Sequence, residues 1–236
     1  MAGSGGSAEE TSVINIESPQ IVAAVFDVDR TLVPVTTTER IFIRYLVRHR
    51  VLRISAVVRT ALFILGNIGK TSPFEAIRRQ RAYLAGQPYE QTKKLAQRCF
   101  ETDIKPRISA AGIEAIKSHK KQGHVVILLS GSLDFLLEPM SRYLGADHLL
   151  AAKMEVVQGK LTGRIVGDYP YGSFKAAIMR HFSEEHGLDF TNSFAYADHH
   201  TDHEVLSLFG NPVVINAKEK MQRIAQSEGW TMKDFS

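Results

Sequence analysis

The sequence predicts an α/β protein: a doubly wound, mostly parallel sheet with an all-helical segment inserted after the first strand. Three observations carry this. Continuous apolar runs rich in Val and Ile recur at residues 21–26 (IVAAVF), 125–129 (VVILL) and 212–215 (PVVI), the pattern of strands buried on both faces. Helical spacing fills the intervals between the later runs, as in a chain that alternates strand and helix. Residues 39–107 carry no strand pattern at all.

Taken in order, residues 1–19 are Gly/Ser-rich at their start and lack an apolar signal core, so they read as a flexible tail. The first strand ends at Asp27. Ile41, Tyr45, Leu46, Leu52, Ala56 and Val57 then recur at helical spacing, and residues 80–100 form a second helical stretch. The run 54–68 is the longest apolar stretch, but Arg59 interrupts it and it falls short of the roughly 18–20 residues that span a bilayer. A helix over 108–121 precedes the second core strand, and another over 135–144 follows it. Residues 154–166 (MEVVQGKLTGRIV) hold Gln-Gly and Thr-Gly turn pairs and predict an antiparallel hairpin. A helix over 174–186, a short strand over 193–197 (SFAYA) and the last apolar run complete the core. The expected division is a tail at 1–19, a core of 20–38 with 108–236, and a helical cap at 39–107.

Composition sets the outer bounds. With 236 residues, 44% hydrophobic and 23% charged, the chain can bury a sizeable core, which argues against general disorder. Cys99 stands alone, so intrachain disulfides and Cys-based zinc sites are excluded, and a cytoplasmic location fits. The net charge of +4 is unevenly placed. Residues 40–81 hold ten cations (among them Arg44, Arg48, Arg53 and Arg59) and one acid, Glu75, while the remainder is acidic.

Four features fall at the C-terminal ends of expected strands, the edge where open α/β sheets bind ligands. Asp27-Val28-Asp29-Arg30-Thr31 follows the first strand. Residues two apart on an extended backbone point to one side, so Asp27 and Asp29 repel unless a cation sits between them. Such a pair can divide nucleophile and proton shuttle. Ser130-Gly131-Ser132 follows the second strand and reads as a helix cap or a phosphate-holding turn. Lys175 lies near a helix start after Tyr171-Gly172-Ser173. Asp198-His199-His200-Thr201-Asp202 follows 193–197. Its acids suit a hard cation such as magnesium. A transition metal on Asp198, His199, His200, Asp202 and His203 is the rival, although adjacent histidines point apart.

In that order, these features make the sequence resemble the haloacid dehalogenase (HAD) superfamily, and within it the phosphoserine-phosphatase-like branch with a helical cap after the first motif. The resemblance spans residues 22–217. It implies a HAD-like Rossmannoid core and a phosphatase. Asp27 would be the nucleophile that forms an aspartyl-phosphate, and Asp29 the general acid and base. Thr31, Ser130 and Gly131 would contact phosphate, with Lys175 offsetting charge around the nucleophile. Mg²⁺ would be held by Asp27, Asp29 (through its backbone carbonyl), Asp198 and Asp202. Two positions depart from the family pattern: Arg30 stands where Gly is common, and Ala197-Asp198-His199 where Gly-Asp-Ser is common. The Glu that reads the amine of phosphoserine, nine residues after the nucleophile, is Thr36 here, with Glu39 three residues later.

The expected partner is therefore a small phosphorylated metabolite of the phosphoserine-like branch, with Thr36 counting against phosphoserine itself. The alternatives are a lipid-head phosphate met at an anionic membrane surface through the basic segment, a cap that steers substrate by charge, or a non-catalytic protein that docks through that segment. Transfer of phosphate to an alcohol instead of water stays open, as does oligomeric state. Nucleic acid is not expected, since no recognised module or aromatic-interleaved basic stripe is present.

Overall fold

The computed structural model of the protein describes residues 20–52 and 80–236. Expectations resting on the tail 1–19, on the apolar run 54–68, or on Arg53, Arg59, Lys70, Arg78 and Arg79 lie outside those residues.

Seven strands form one sheet: β1 (Ala23–Phe26), β2 (Val125–Leu133), β3 (His148–Val157), β4 (Lys160–Val166), β5 (Phe194–Ala197), β6 (Asn211–Ile215) and β7 (Thr231–Lys233). Their spatial order is β4-β3-β2-β1-β5-β6-β7, and every neighbouring pair is parallel except β3 with β4. The described α-helices are α1 (Thr38–Arg48), α2 (Tyr89–Cys99), α3 (Ala110–Lys121), α4 (Asp134–Leu144), α5 (Ser173–His186), α6 (His203–Leu206) and α7 (Glu219–Glu228).

The central strands are apolar throughout because both faces are covered. Ala24, Phe26, Val126 and Leu128 join Phe42, Ile116 and Phe135 in one cluster. Ala23, Val25, Ile127 and Leu129 join Met179, Phe182, Leu206 and Met221 in the other. Each large side chain so buried contributes about 1.5–3 kcal/mol. Phe26 also stacks on Tyr196 of β5, with ring centroids 4.3 Å apart. β1 lies between β2 and β5, so the chain after β1 leaves the sheet where strand order reverses, and a crevice opens there.

The structure differs from the sequence expectation at five places. First, Ser130-Gly131-Ser132 does not cap a helix. β2 runs on to Leu133, its register against β3 shifting between Ser130 and Leu133, and α4 begins at Asp134 with no side-chain cap. Second, β3 begins at His148, pairs with β2 first, and turns antiparallel to β4 only from Lys153. Third, the Gln158-Gly159 turn forms as expected, both residues having positive φ (49° and 71°), whereas Thr162-Gly163 lies inside β4.

Fourth, the helix expected over 80–100 starts only at Tyr89, because Gly86 (φ 81°) and Pro88 interrupt it. Residues 80–89 instead run along β4. Arg81 N–H donates to the Gly163 carbonyl (2.6 Å), Gly86 N–H to Leu161 (2.7 Å) and Tyr89 N–H to Gly159 (2.9 Å), while Leu161 N–H donates to Gln87 (2.9 Å). Fifth, α7 and β7 close the chain where no element was expected. The described parts of the insertion share the core's apolar cluster, through Phe42, Leu46, Leu84, Cys99 and Phe100. Among the described residues, no helix is long and apolar enough to cross a membrane.

Candidate active site

β1 delivers Asp27 to the switch point, and Asp27 N–H still pairs with the Tyr196 carbonyl of β5 (2.9 Å), which anchors the residue to the sheet. The chain then turns tightly: Leu32 and Val33 N–H both donate to the Val28 carbonyl (3.0 Å each). Arg30 makes that turn at φ 69°, a left-handed conformation costing a non-glycine residue about 1–2 kcal/mol. This is the position where the family pattern has Gly. Asn216, after β6, helps hold it by donating to the Arg30 carbonyl (3.1 Å).

Asp27 is buried and held from two sides. Thr31 Oγ1 donates to Oδ2 (3.0 Å), and Lys175 Nζ donates to Oδ1 (2.6 Å). Lys175, in the first turn of α5, is 5% exposed and also lies 3.1 Å from Asp202 Oδ1. Burial opposes the ammonium charge, but Asp202 and Asp27 outweigh it and hold Lys175 above the usual lysine range. Burial raises the Asp27 carboxyl, and Lys175 and Thr31 pull it partly back.

Carboxylate oxygens of Asp27, Asp198 and Asp202 all lie within 4.8 Å of one another, and all three residues are buried. Burial, then the charge of Asp27, pushes Asp198 up to about 7. With all three carboxylates ionised, Lys175 at the centre and Arg30 at the rim, its Nε 3.4 Å from Asp198 Oδ2, leave this group one negative charge in excess. Hard oxygen donors, burial and that excess fit a hard divalent cation such as Mg²⁺. The histidines do not join the group. His199 Nδ1 is bonded to Thr201 Oγ1 (2.9 Å), and His203 faces Glu228 (3.5 Å), which removes support for the transition-metal rival.

Asp29 points elsewhere. Its Oδ1 accepts from Thr38 N–H (2.7 Å) and Thr38 Oγ1 (2.8 Å), and its Oδ2 from Ser132 Oγ (2.6 Å). Its side chain is thus committed to these donors and stands outside the metal-ligand group. Burial still raises its pKa despite them.

The four acids, Arg30, Ser132 and Lys175 line a cleft of ≈ 180 Å³, with Ser130, Gly131, Thr37, Glu39, Arg81, Tyr169 and Tyr171. Thr31, expected to contact phosphate, is fully buried beneath the cleft. Its hydroxyl orients Asp27 instead. Gly131 is tight: a Cβ there would meet the Pro170 carbonyl at 3.3 Å and the Tyr169 hydroxyl at 3.5 Å. Sequence reasoning missed the Glu39–Arg81 ion pair on the cleft wall, which Tyr83 joins by donating to Glu39 (2.8 Å). It also missed Tyr169, whose hydroxyl meets Arg81. Thr38 and Asn216 were likewise unmarked, although the Thr run at 36–38 does signal a helix start.

The model of the haloacid dehalogenase-like hydrolases matches residues 24–207, most of the chain, and the chain belongs to that family. More particularly, it is an enzyme of the family's phosphatase type, phosphoserine-phosphatase-like in its relatives and structural neighbours. It is 30% identical over 218 residues to an inhibition of morphological differentiation protein of Streptomyces azureus, covering 90% of this chain and 78% of that one. It is 28% identical over 222 residues to a probable phosphatase of Mycobacterium tuberculosis, covering 91% and 75%. In fold it is similar to a Bordetella pertussis protein of unknown function (TM-score 0.79, 23% identity, covering 92% and 100%). It is also similar to a phosphoserine phosphatase solved as a phospho-aspartyl intermediate analogue (TM-score 0.63, 21% identity, covering 92% and 95%).

Proposed function

We propose that the chain is a Mg²⁺-dependent phosphomonoester hydrolase that works through an aspartyl-phosphate on Asp27 and acts on a small phosphorylated metabolite. The observation that carries this is Asp27 itself: a buried carboxylate on a cleft floor, fixed by Lys175 and Thr31, with two more acids converging on it and Asp29 held apart. That separation lets one carboxylate attack while the other handles the proton.

Asp27 attacks phosphorus in line as the ester P–O bond breaks, and Asp29 donates a proton to the departing oxygen. Asp29 then takes a proton from the water that hydrolyses the aspartyl-phosphate. Ser130 and the backbone at Gly131 face the phosphoryl oxygens, and Lys175 offsets charge on Asp27. Asp27, Asp198 and Asp202, with the Asp29 carbonyl, are the groups that would hold Mg²⁺. That ion would supply charge neutralisation at the phosphoryl group, where this chemistry most needs it.

Cleft size supports a small ester, since ≈ 180 Å³ is below the range of drug-sized sites. Phosphoserine is disfavoured because Glu39, the carboxylate nearest the expected amine reader, is already bound by Arg81 and Tyr83. The lipid-head alternative loses one cation to the fold: Arg48 Nη1 and Nη2 donate to the two Asp103 carboxylate oxygens, at 3.0 and 2.7 Å. Most of its other cations lie outside the described residues.

The test is hydrolysis of 4-nitrophenyl phosphate with Mg²⁺ and with chelator, then a panel of amino-acid, sugar and glycerolipid phosphates. Mg²⁺-dependent turnover is expected, with Asp27→Asn slower by about 10³-fold or more, as for loss of a nucleophile. Wild-type turnover by Asp27→Asn would sink the reading.

A further inference from the structure

Asp29 is held by two residues that reach it from different parts of the fold. Thr38 is the first residue of α1, at the root of the insertion, and Ser132 lies three residues past the apolar run of β2. Thr38 is fully buried and Ser132 3% exposed. Thr38 supplies two donors to Oδ1, and Ser132 supplies one to Oδ2 at 2.6 Å. Short hydrogen bonds to a carboxylate are about twice as strong as neutral ones.

The two hydroxyl oxygens also lie 3.0 Å apart. Each hydroxyl has a single hydrogen, and with Asp29 ionised both hydrogens are committed to the carboxylate. Neither side chain can turn away without leaving a buried carboxylate oxygen short of a donor, which is costly. The carboxylate plane of Asp29 is therefore fixed by α1 on one side and β2 on the other.

We infer that Thr38 and Ser132 are positioning residues that aim Asp29 at the leaving-group oxygen, and that Thr38 ties this aim to the placement of α1. The inference rests on the proposed mechanism, in which Asp29 gives its proton to that oxygen as the P–O bond breaks. Thr38 lies in none of the four sequence features, and Ser132 is the last residue of the second, where it reads only as part of a cap or phosphate-holding turn. Thr38 acts through Asp29, and the effect of losing it depends on how much protonation the leaving group needs.

That dependence supplies the test. Phenyl phosphate and 4-nitrophenyl phosphate have nearly the same shape, but phenoxide is the more basic leaving group and draws more on a general acid. The quantity compared is kcat/KM for Thr38→Val, Thr38→Ser and Ser132→Ala with Mg²⁺ present. It reports the step in which the ester bond breaks and omits hydrolysis of the shared phosphoenzyme.

Thr38→Val keeps the shape and the N–H but loses the hydroxyl. It should lower kcat/KM on phenyl phosphate by about 10- to 100-fold, the value of one hydrogen bond to a charged group, and on 4-nitrophenyl phosphate by less than about threefold. Thr38→Ser should restore the wild-type ratio, and Ser132→Ala should repeat the asymmetry. Should Thr38→Val fail to fold, as judged by circular dichroism, Ser132→Ala decides. Equal losses on the two esters, or no loss, overturn the inference and leave the phosphatase reading standing. A wild type that cleaves neither ester overturns that reading instead.

Discussion

Lys175→Met removes the one ammonium at the centre of the acidic group while keeping a side chain of similar length. Lys175 sits 2.6 Å from Asp27 and 3.1 Å from Asp202, and all three side chains are at most 10% exposed. Deleting one partner of a buried pair leaves an uncompensated charge and costs about 3–5 kcal/mol. Here two carboxylates lose the same partner while Asp198 lies alongside, so the upper half of that range applies. For a chain of this size the loss corresponds to a fall in Tm of roughly 8–20 °C. The assay is thermal melting at neutral pH in chelator, repeated with Mg²⁺.

Mg²⁺ at a hundredfold excess over its Kd stabilises a native state by about 2.7 kcal/mol. The variant gives the cation a more negative site, so it should recover more from Mg²⁺ than the wild type does. Acid supplies a second check. Asp198 is raised from 3.8 to about 7, so its folded form binds a proton more readily than its unfolded form. In chelator its stabilising contribution is complete below about pH 4 and is lost as pH rises through about 7. The variant should therefore fall furthest behind the wild type at neutral pH. Wild-type melting of Lys175→Met in chelator, or equal Mg²⁺ shifts in the two proteins, would refute the charge argument.

Three further expectations concern other parts of the molecule. Gly163→Ala places a Cβ 3.1 Å from the Arg81 carbonyl at φ 86°, so unfolding by urea should show a loss of about 1–2 kcal/mol. His119, bonded to Tyr196 and His124, is held down at about 4 by burial and then by His124. Its unfolded form binds the proton more readily, so stability should be complete above about pH 6.5 and fall toward pH 4, by roughly 2–3 kcal/mol. Urea midpoints across that window should flatten in His119→Phe, and an unchanged slope would assign the pH dependence elsewhere. Burial pushes the Cys99 thiol up to about 12, so thiol reagents should label it only as fast as the protein opens.

The strands that frame the site were legible because burial on both faces leaves continuous apolar runs, as in residues 21–26 and 125–129. Asp27, Asp29, Lys175, Asp198 and Asp202 could be found because each lies at the C-terminal edge of a strand or in the first turn of a helix. What escaped depends on tertiary contacts. β7 is exposed at all three residues and carries no periodic signal. The first half of β3, residues 148–152 (HLLAA), is a short apolar run close behind a helix, which periodicity alone does not separate from more helix. Arg81 looked like one more cation in a basic stretch, since its partner Glu39 is 42 positions away. Thr38 gave a local cue for a helix start, but nothing local says that its hydroxyl reaches Asp29. Thr31 sits correctly in its motif, yet only the three-dimensional turn shows that it faces the nucleophile from below.

The hydrogen bonds between residues 80–89 and β4 bear on self-association as well as on the cleft. β4 ends the sheet on one side, and an open strand edge is a template for pairing with another chain. Gly159, Leu161 and Gly163 have their outward backbone groups paired with residues 81–89, so that template is covered. The opposite end of the sheet is protected differently, by the brevity of β7 and by Lys233 on it. A shortened chain that kept the hairpin but dropped residues 80–89 would present a bare edge beside Val156, Val157 and Val166, already 40%, 53% and 39% exposed. The return path of the insertion thus also guards the protein against adding strands from its own copies.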